Sequence, residues 1–101
     1  MQGNVIQSVS RALMEEVRFD NAGVTSLDLK TYPIATFADV PEIQVVLLEH
    51  PDEPPLGVGE SAAIPSAAAI ANAIFDATGI RIRRVPFTPQ RIKAALAAMR
   101  R

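Results

Sequence analysis

The residue best placed to do chemistry in this sequence is Glu60, which ends the run Gly57-Val58-Gly59-Glu60 ahead of an alanine-rich segment. A carboxylate on a glycine-rich support just before a predicted helix can act as a rigidly placed general base. The same glycine pattern can bind phosphate at a helix N-terminus, but the charge of Glu60 would repel a phosphate there. The spacing alone favours a structural role, in which Glu60 stabilises the helix dipole by about 0.3–1 kcal/mol.

The other polar candidates favour structural roles. His50 is the single histidine, it precedes Pro51, and the sequence shows no partner that would orient it as a general base. With one histidine, no cysteine and no acidic cluster beyond Asp52-Glu53, the sequence predicts no metal site. A small basic patch, typical of an exposed strand face or a guarded sheet edge, comprises Arg81, Arg83 and Arg84.

Composition excludes several classes of protein. The chain has 101 residues, of which 49% are hydrophobic, and a formal net charge of −1, as expected of a single domain or domain fragment over residues 1–101. The balanced charge and the absence of tryptophan argue against nucleic-acid binding. No apolar run is long enough to predict a transmembrane helix. The absence of cysteine excludes disulfides and thiolate ligands, and it leaves the redox compartment undetermined.

In the first half of the chain, apolar periodicity predicts the elements that would position these groups. Apolar residues at helical spacing predict a helix over residues 3–17. The turn sequence Asp20-Asn21-Ala22-Gly23 predicts a short hairpin between the flanking apolar residues. Residues 27–41 contain Tyr32-Pro33 and predict an irregular stretch, because a residue before proline disfavours helix.

The middle of the chain predicts a strand and a helix. Residues 43–49 are the best strand candidate, and apolar residues at both parities indicate burial on both faces. A helix is predicted over residues 61–78, with Gly79 as the residue that ends it.

The last part of the chain predicts a short strand followed by a helix. Isoleucine and arginine alternate over residues 80–83, which indicates a strand with one exposed face. Thr88-Pro89 is a strong helix start, and Arg100 and Arg101 would complement the dipole at the end of that helix. The order of elements predicts an α+β fold, in which helices pack on a small mixed or antiparallel sheet.

Several stretches, in order along nearly the whole chain, resemble one enzyme family. They resemble the C-terminal part of the molybdopterin-binding large (beta) subunit of molybdenum hydroxylases, the xanthine dehydrogenase and aldehyde oxidase family. In detail they are most similar to the beta subunit of isoquinoline 1-oxidoreductase. The stretches that carry the resemblance are Gly3-Asn4-Val5-Ile6-Gln7, Tyr32-Pro33-Ile34, Gly57-Val58-Gly59-Glu60 and residues 69–89.

The resemblance implies an activity and a role for particular residues. Glu60 would lie beside the molybdenum and act as the base during hydroxylation of an N-heterocycle such as isoquinoline, or oxidation of an aldehyde, with water as the oxygen source. Residues Gly57, Val58, Gly59 and Gln7 would contact the molybdopterin-type cofactor. The implied partners are the remainder of the large subunit and an iron–sulfur small subunit.

The chain also departs from the family pattern. Many members carry lysine where this sequence has Leu56, and the other pterin-binding loops of a full subunit are missing, so Met1 looks like a start inside a larger protein. We therefore expect the isolated chain to bind no cofactor, to be inactive, and to expose former interface through which it can self-associate. The alternatives are a non-catalytic binding or assembly module that keeps the fold, and a domain that binds a small cationic ligand at residues 57–60.

Overall fold

Three α-helices and a two-stranded antiparallel sheet form the regular structure of the computed structural model, which describes residues 1–99. The elements in chain order are α1 (Gln2–Leu13), β1 (Phe19–Asp20), β2 (Gly23–Val24), a 3-10 turn (Phe37–Asp39), α2 (Ala63–Thr78) and α3 (Pro89–Met99). This is the predicted α+β class, and the sheet is antiparallel. Arg100 and Arg101, which were expected to complement the dipole of α3, lie outside the described residues.

Helix α1 is shorter than its apolar periodicity predicts. It ends at Leu13, and Met14 leaves the helical region with φ −141°. The N–H of Met14 still donates to the carbonyl of Ser10, with an N···O distance of 3.0 Å. The side chains of the following residues, Glu15 and Glu16, accept hydrogen bonds from Tyr32 and Arg91 respectively.

The predicted hairpin is confirmed at the predicted turn. Phe19 pairs with Val24, and Asp20 pairs with Gly23. The Oδ1 atom of Asp20 accepts hydrogen bonds from the N–H groups of Ala22, at 2.8 Å, and Gly23, at 3.2 Å. This side-chain-to-backbone turn explains why aspartate opens the loop. Gly23 has φ +136°, a conformation that residues with a side chain rarely adopt.

The two other predicted strands are wrong. Residues 43–49 have no regular secondary structure, and neither do residues 80–83. A strand exists only where a neighbour accepts and donates its backbone hydrogen bonds, and within residues 1–99 the strands β1 and β2 bond to each other. Arg81 instead turns back onto α2, where its guanidinium donates to Asn72 Oδ1 at 2.6 Å and lies 4.1 Å from the centre of the Phe75 ring.

Helix α2 ends and helix α3 begins at the residues that the local signals indicate, whereas α2 begins at Ala63, two residues later than predicted. Gly79 ends α2 in the left-handed region, with φ +73°, and its N–H donates to the carbonyl of Phe75 at 2.7 Å. At the start of α3, the hydroxyl of Thr88 accepts the N–H of Arg91 at 3.3 Å. Both ends are local devices that satisfy backbone groups left free at helix termini.

The buried core is small and lies where the end of α1 meets the segment before α3. Within residues 1–99, the buried hydrophobic side chains are Ala12, Ile80 and Phe87. Phe87 is 4% exposed, and its N–H donates to the carbonyl of Ala12 at 2.6 Å. This bond uses one of the carbonyls that a helix C-terminus leaves free, and it joins two parts of the chain 75 residues apart in sequence.

The described chain exposes far more surface than a folded domain of its mass. Its accessible surface is 8280 Å², whereas a compact 10.9 kDa protein exposes about 5,600 Å². Its radius of gyration is 17.0 Å, against roughly 13 Å for a compact domain of this length. About 2,700 Å² of surface that other domains bury is therefore open.

Candidate functional site

Residues Gly57, Val58, Gly59 and Glu60 form an exposed, irregular stretch ahead of α2. Neither glycine has a positive φ, so the backbone does not require glycine here for its conformation. A Cβ atom built at Gly57 or Gly59 would meet no other atom within 4 Å. Neither backbone conformation nor packing within the described chain requires glycine at these two positions. Gly57 and Gly59 each leave open space beside the backbone.

Glu60 lies ahead of α2 rather than in its first turn. Ala62 occupies the N-cap position without a side-chain capping bond, and the helix begins at Ala63 with no acidic residue in its first turn. The Glu60 carbonyl accepts the N–H of Ala63 at 3.1 Å, which fixes its backbone to the start of the helix. Because dipole stabilisation falls off within the first turn, this position weakens the purely structural explanation of the acid. The residue is exposed, and it takes no part in the ion pairs of the described residues.

The start of α2 packs against α1, and an open pocket lies beside the contact. Helices α1 and α2 are in contact. A cavity of 160 Å³ lies between them, mainly apolar but with one arginine, and its lining residues are Ser8, Arg11, Ala12, Ala63, Ala67 and Val85. The small side chains of α2 let the two backbones approach closely, so α1 supports the helix start that follows Glu60.

Gln7 lines a different cavity from the one between α1 and α2. It is exposed and lines a second cavity of 270 Å³ together with residues from the loop after the hairpin. That cavity is lined by Ile6, Gln7, Ser10, Arg11, Glu15, Ile34 and Ala35. Glu60 is not among these residues, so this cavity does not bring Gln7 and Glu60 together.

A polar cluster that the sequence did not indicate borders the same cavity. Ser10 Oγ donates to Glu15 Oε1 at 2.5 Å, and the hydroxyl of Tyr32 donates to Glu15 Oε2 at 2.9 Å. The N–H of Ala35 donates to Ser10 Oγ at 2.9 Å. The bond to the Glu15 carboxylate raises the pKa of Tyr32. These contacts fix the loop around residues 32–35 against the end of α1.

A second unforeseen cluster holds α3 to the end of α1. Glu16 accepts a hydrogen bond from Arg91, which also donates to the carbonyl of Pro86 at 2.8 Å. Arg84 lies 3.9 Å from the same carboxylate. The hydrogen bond from Arg91, followed by the charges of nearby arginines, lowers the pKa of Glu16. Part of the predicted basic patch therefore serves an ion pair, and not the edge of a sheet.

Helix α1 also carries a buried polar group without a partner. Asn4, Ser8 and Ser10 are buried, and Ser8 Oγ donates to the carbonyl of Asn4 at 2.7 Å. The Oδ1 atom of Asn4 has no hydrogen-bond donor among the described residues. An acceptor left in this state costs about 1–3 kcal/mol, so a donor from another polypeptide or a ligand would stabilise α1.

The remaining candidates form no site in the described chain. His50, Asp52 and Glu53 are exposed in an irregular loop. Residues 1–99 contain no group of three or more histidine or acidic side chains placed to hold a metal ion. None of the described helices has the length and apolar character needed to cross a membrane.

Comparison with known proteins gives consistent relatives. The chain is 57% identical over 96 residues to the B subunit of nicotinate dehydrogenase from Pseudomonas putida, a match that covers 95% of this chain and 8% of that protein. It is 37% identical to an aldehyde oxidoreductase molybdenum-binding subunit of Escherichia coli, over 85% of this chain and 13% of the relative. It is 36% identical to the beta subunit of isoquinoline 1-oxidoreductase from Brevundimonas diminuta, over 100% of this chain and 12% of the relative.

The fold agrees with these sequence matches. The structure superposes on the crystal structure of quinoline 2-oxidoreductase from Pseudomonas putida 86 with a TM-score of 0.80 and 34% identity, over 95% of this chain and 13% of that one. This chain corresponds to a segment of the large subunit of molybdenum hydroxylases. No protein-family model matches it.

The chain matches only a small part of the length of each relative. It spans 8–13% of the length of the proteins named above. The predicted resemblance to this family, including the beta subunit of isoquinoline 1-oxidoreductase, is confirmed. No contact within residues 1–99 tests the roles expected of Glu60, of residues 57–59 or of Gln7, and these roles remain predictions.

Proposed function

We propose that this chain supplies the base-bearing loop of a molybdopterin-dependent hydroxylase, with Glu60 as the general base. The parent reaction would hydroxylate an N-heterocycle, or oxidise an aldehyde, with water as the oxygen source. The observation that carries the proposal is the 57% identity, over 95% of the chain, to a nicotinate dehydrogenase, a relative named for an N-heterocyclic acid. The quinoline and isoquinoline oxidoreductases among the matches support the heterocycle over the aldehyde.

The residues of the chain fit a cofactor supplied from outside it. The molybdopterin-type cofactor would provide an electrophilic metal centre that acidifies bound water and accepts electrons from the substrate. Gly57, Val58 and Gly59 would hold its edge, because the open space beside both glycines admits a bulky group close to the backbone. Gln7 would donate or accept hydrogen bonds with its exposed side-chain amide.

Glu60 has the properties that a general base in this place needs. Its carboxylate is exposed and not committed to the ion pairs of the described residues, so it is free to accept a proton. Its backbone is fixed by the bond from Ala63, and the helix that follows is braced by α1. A base held at a fixed distance from the reacting group contributes typically about 10²–10⁴ to the rate.

The rest of the enzyme would be supplied by polypeptide outside this chain. Because the chain spans 8–13% of its relatives, the rest of a large subunit would complete the cofactor site. An iron–sulfur small subunit would be the further partner that takes up the electrons. The isolated chain is therefore expected to bind no cofactor and to show no activity. Molybdenum analysis by mass spectrometry of the purified chain tests this expectation, and stoichiometric molybdenum in the purified protein would contradict it.

Substitution of Glu60 in a large subunit that carries this segment tests the proposed role. We expect Glu60→Gln to lower kcat by at least about 100-fold, because the amide cannot take a proton from the nucleophile. The matched control is Glu53→Gln, the same change at an exposed residue of the preceding loop. Unchanged turnover in Glu60→Gln, or an equal loss in both variants, would remove Glu60 from the mechanism.

A further inference from the structure

We infer that residues 43–48 form a docking strand that pairs with a β-strand from the part of a molybdenum hydroxylase large subunit that this chain does not contain. The sequence here is Ile43-Gln44-Val45-Val46-Leu47-Leu48, a strand pattern with apolar residues at both parities. Such a pattern is stable in water only when both faces are covered. The inference rests on the family match and is independent of the role proposed for Glu60.

Five of the six side chains of this segment are exposed to solvent, and Ile43 is half-buried. Val46 is 82% exposed, and Leu47 and Leu48 are each 78% exposed. Alternate residues of a strand point to opposite faces, so the adjacent pair Leu47 and Leu48 leaves both faces uncovered. Exposed apolar surface that is contiguous in this way marks an interaction site.

The backbone of the segment is also free. Residues 43–49 have no regular secondary structure, and no backbone hydrogen bond joins them to another part of the described chain. A row of free N–H and C=O groups flanked by apolar side chains is the edge that a peptide strand uses when it adds to a sheet. The backbone would supply the pairing, and the side chains at alternating positions would fix its register.

The open area of the whole chain indicates an extensive partner. The excess of about 2,700 Å² on this chain alone exceeds the roughly 800 Å² that each partner buries in a standard interface, and it matches permanent assemblies. The relatives carry about nine-tenths of their length outside the matched segment, which is enough polypeptide to cover such an area. This favours the rest of a large subunit over a second copy of the chain.

Hydrogen exchange of the backbone amides of residues 44–48, measured by mass spectrometry in two contexts, tests the inference. The first context is the isolated chain. The second is a chimera, the B subunit of nicotinate dehydrogenase in which this chain replaces the 96 matched residues. We expect these amides to exchange freely in the isolated chain and at least about 100-fold more slowly in the chimera. Equal, fast exchange in both contexts would overturn the inference.

Substitutions separate pairing by this strand from general folding. We expect Val46→Lys with Leu48→Lys to reduce the protection in the chimera by at least about tenfold and to leave the isolated chain unchanged. The control is Gln44→Lys, which adds one of the two charges of the double variant on the same face of the strand, at a residue that is already polar. Full protection in the double variant, or an equal loss in the control, would contradict the inference.

Two measurements that do not use the chimera also test the inference. If the chimera does not fold, the same exchange is measured on this chain co-expressed with a nicotinate dehydrogenase large subunit that lacks the matched residues, and failure to co-purify counts against the inference. Protection of residues 44–48 in a dimer of the isolated chain, identified by analytical ultracentrifugation, would make a second copy the partner and overturn it. None of these measurements depends on turnover, so a failed role for Glu60 leaves them intact.

Discussion

The small core makes Phe87 the residue on which the stability of the isolated chain depends most. Phe87 is 4% exposed and is the largest of the three buried hydrophobic side chains of residues 1–99. A buried phenylalanine removes roughly 150–250 Å² from water, worth about 4–6 kcal/mol at 25 cal/mol per Å² before the part that alanine retains is subtracted. Measured Phe→Ala losses of about 3–5 kcal/mol agree with this range. Since the surrounding chain is open and can relax, we expect about 3 kcal/mol for Phe87→Ala.

Urea unfolding followed by circular dichroism measures this loss. With an m-value of about 1 kcal/mol per molar, at the low end because little surface is exposed on unfolding, the midpoint should fall by about 3 M. The matched control is Phe37→Ala, the same change at a side chain that is 100% exposed, and it should stay within about 0.5 kcal/mol of the parent.

The milder variant Phe87→Leu keeps the prediction measurable if Phe87→Ala is already unfolded without urea. It should cost about 1 kcal/mol, because the volume is largely kept. Equal losses in the free energy of unfolding for Phe87→Ala and Phe37→Ala would refute the reasoning, because Phe87 would then not lie in the core.

Three further substitutions test predictions about charge and backbone conformation. The Arg91 contact lowers the pKa of Glu16 below its usual 4.5, so its stabilisation is present above that pH and is lost as the pH falls through the folded-state pKa. Urea midpoints should therefore differ between the parent and Glu16→Gln at pH 7, and the difference should disappear in acid; a constant difference would refute the pairing. Gly79→Ala should destabilise the chain by about 1–2 kcal/mol, because φ is +73° there. Gly3→Ala, in the first turn of α1 with no atom within 4 Å of the added Cβ, should stabilise it by up to about 0.5–1 kcal/mol. Thermal unfolding measures both variants, and a change of the same sign in both would contradict one of the two assignments.

Features encoded by neighbouring residues could be predicted from the sequence. The hairpin around Asp20, the end of α2 at Gly79 and the start of α3 at Thr88 each depend on side-chain or backbone bonds over two to four residues. The α+β class followed from these elements. The ion pair of Glu16 with Arg91 could not be predicted, because it joins residues 75 positions apart.

The strand predicted over residues 43–49 failed for a different reason. Its apolar pattern is that of a strand covered on both faces, yet within residues 1–99 most of its side chains are exposed and no strand pairs with it. The apolar pattern of a segment reflects the surroundings in which it folds. Those surroundings can include another part of a larger protein. The same reasoning applies to Gly57 and Gly59, whose small size is not required by any neighbour in this chain.

The central claim is that Glu60 takes a proton in the chemical step, and rapid mixing of enzyme with substrate tests it most directly. The reductive half-reaction of a large subunit that carries this segment is followed in a stopped-flow instrument, so that substrate binding and chemistry are separated. We expect Glu60→Gln to slow the limiting rate of reduction by at least about 100-fold, with little change in the substrate concentration that gives half of that rate. A limiting rate equal to that of the parent, or a loss that appears only as weaker substrate binding, would contradict the claim.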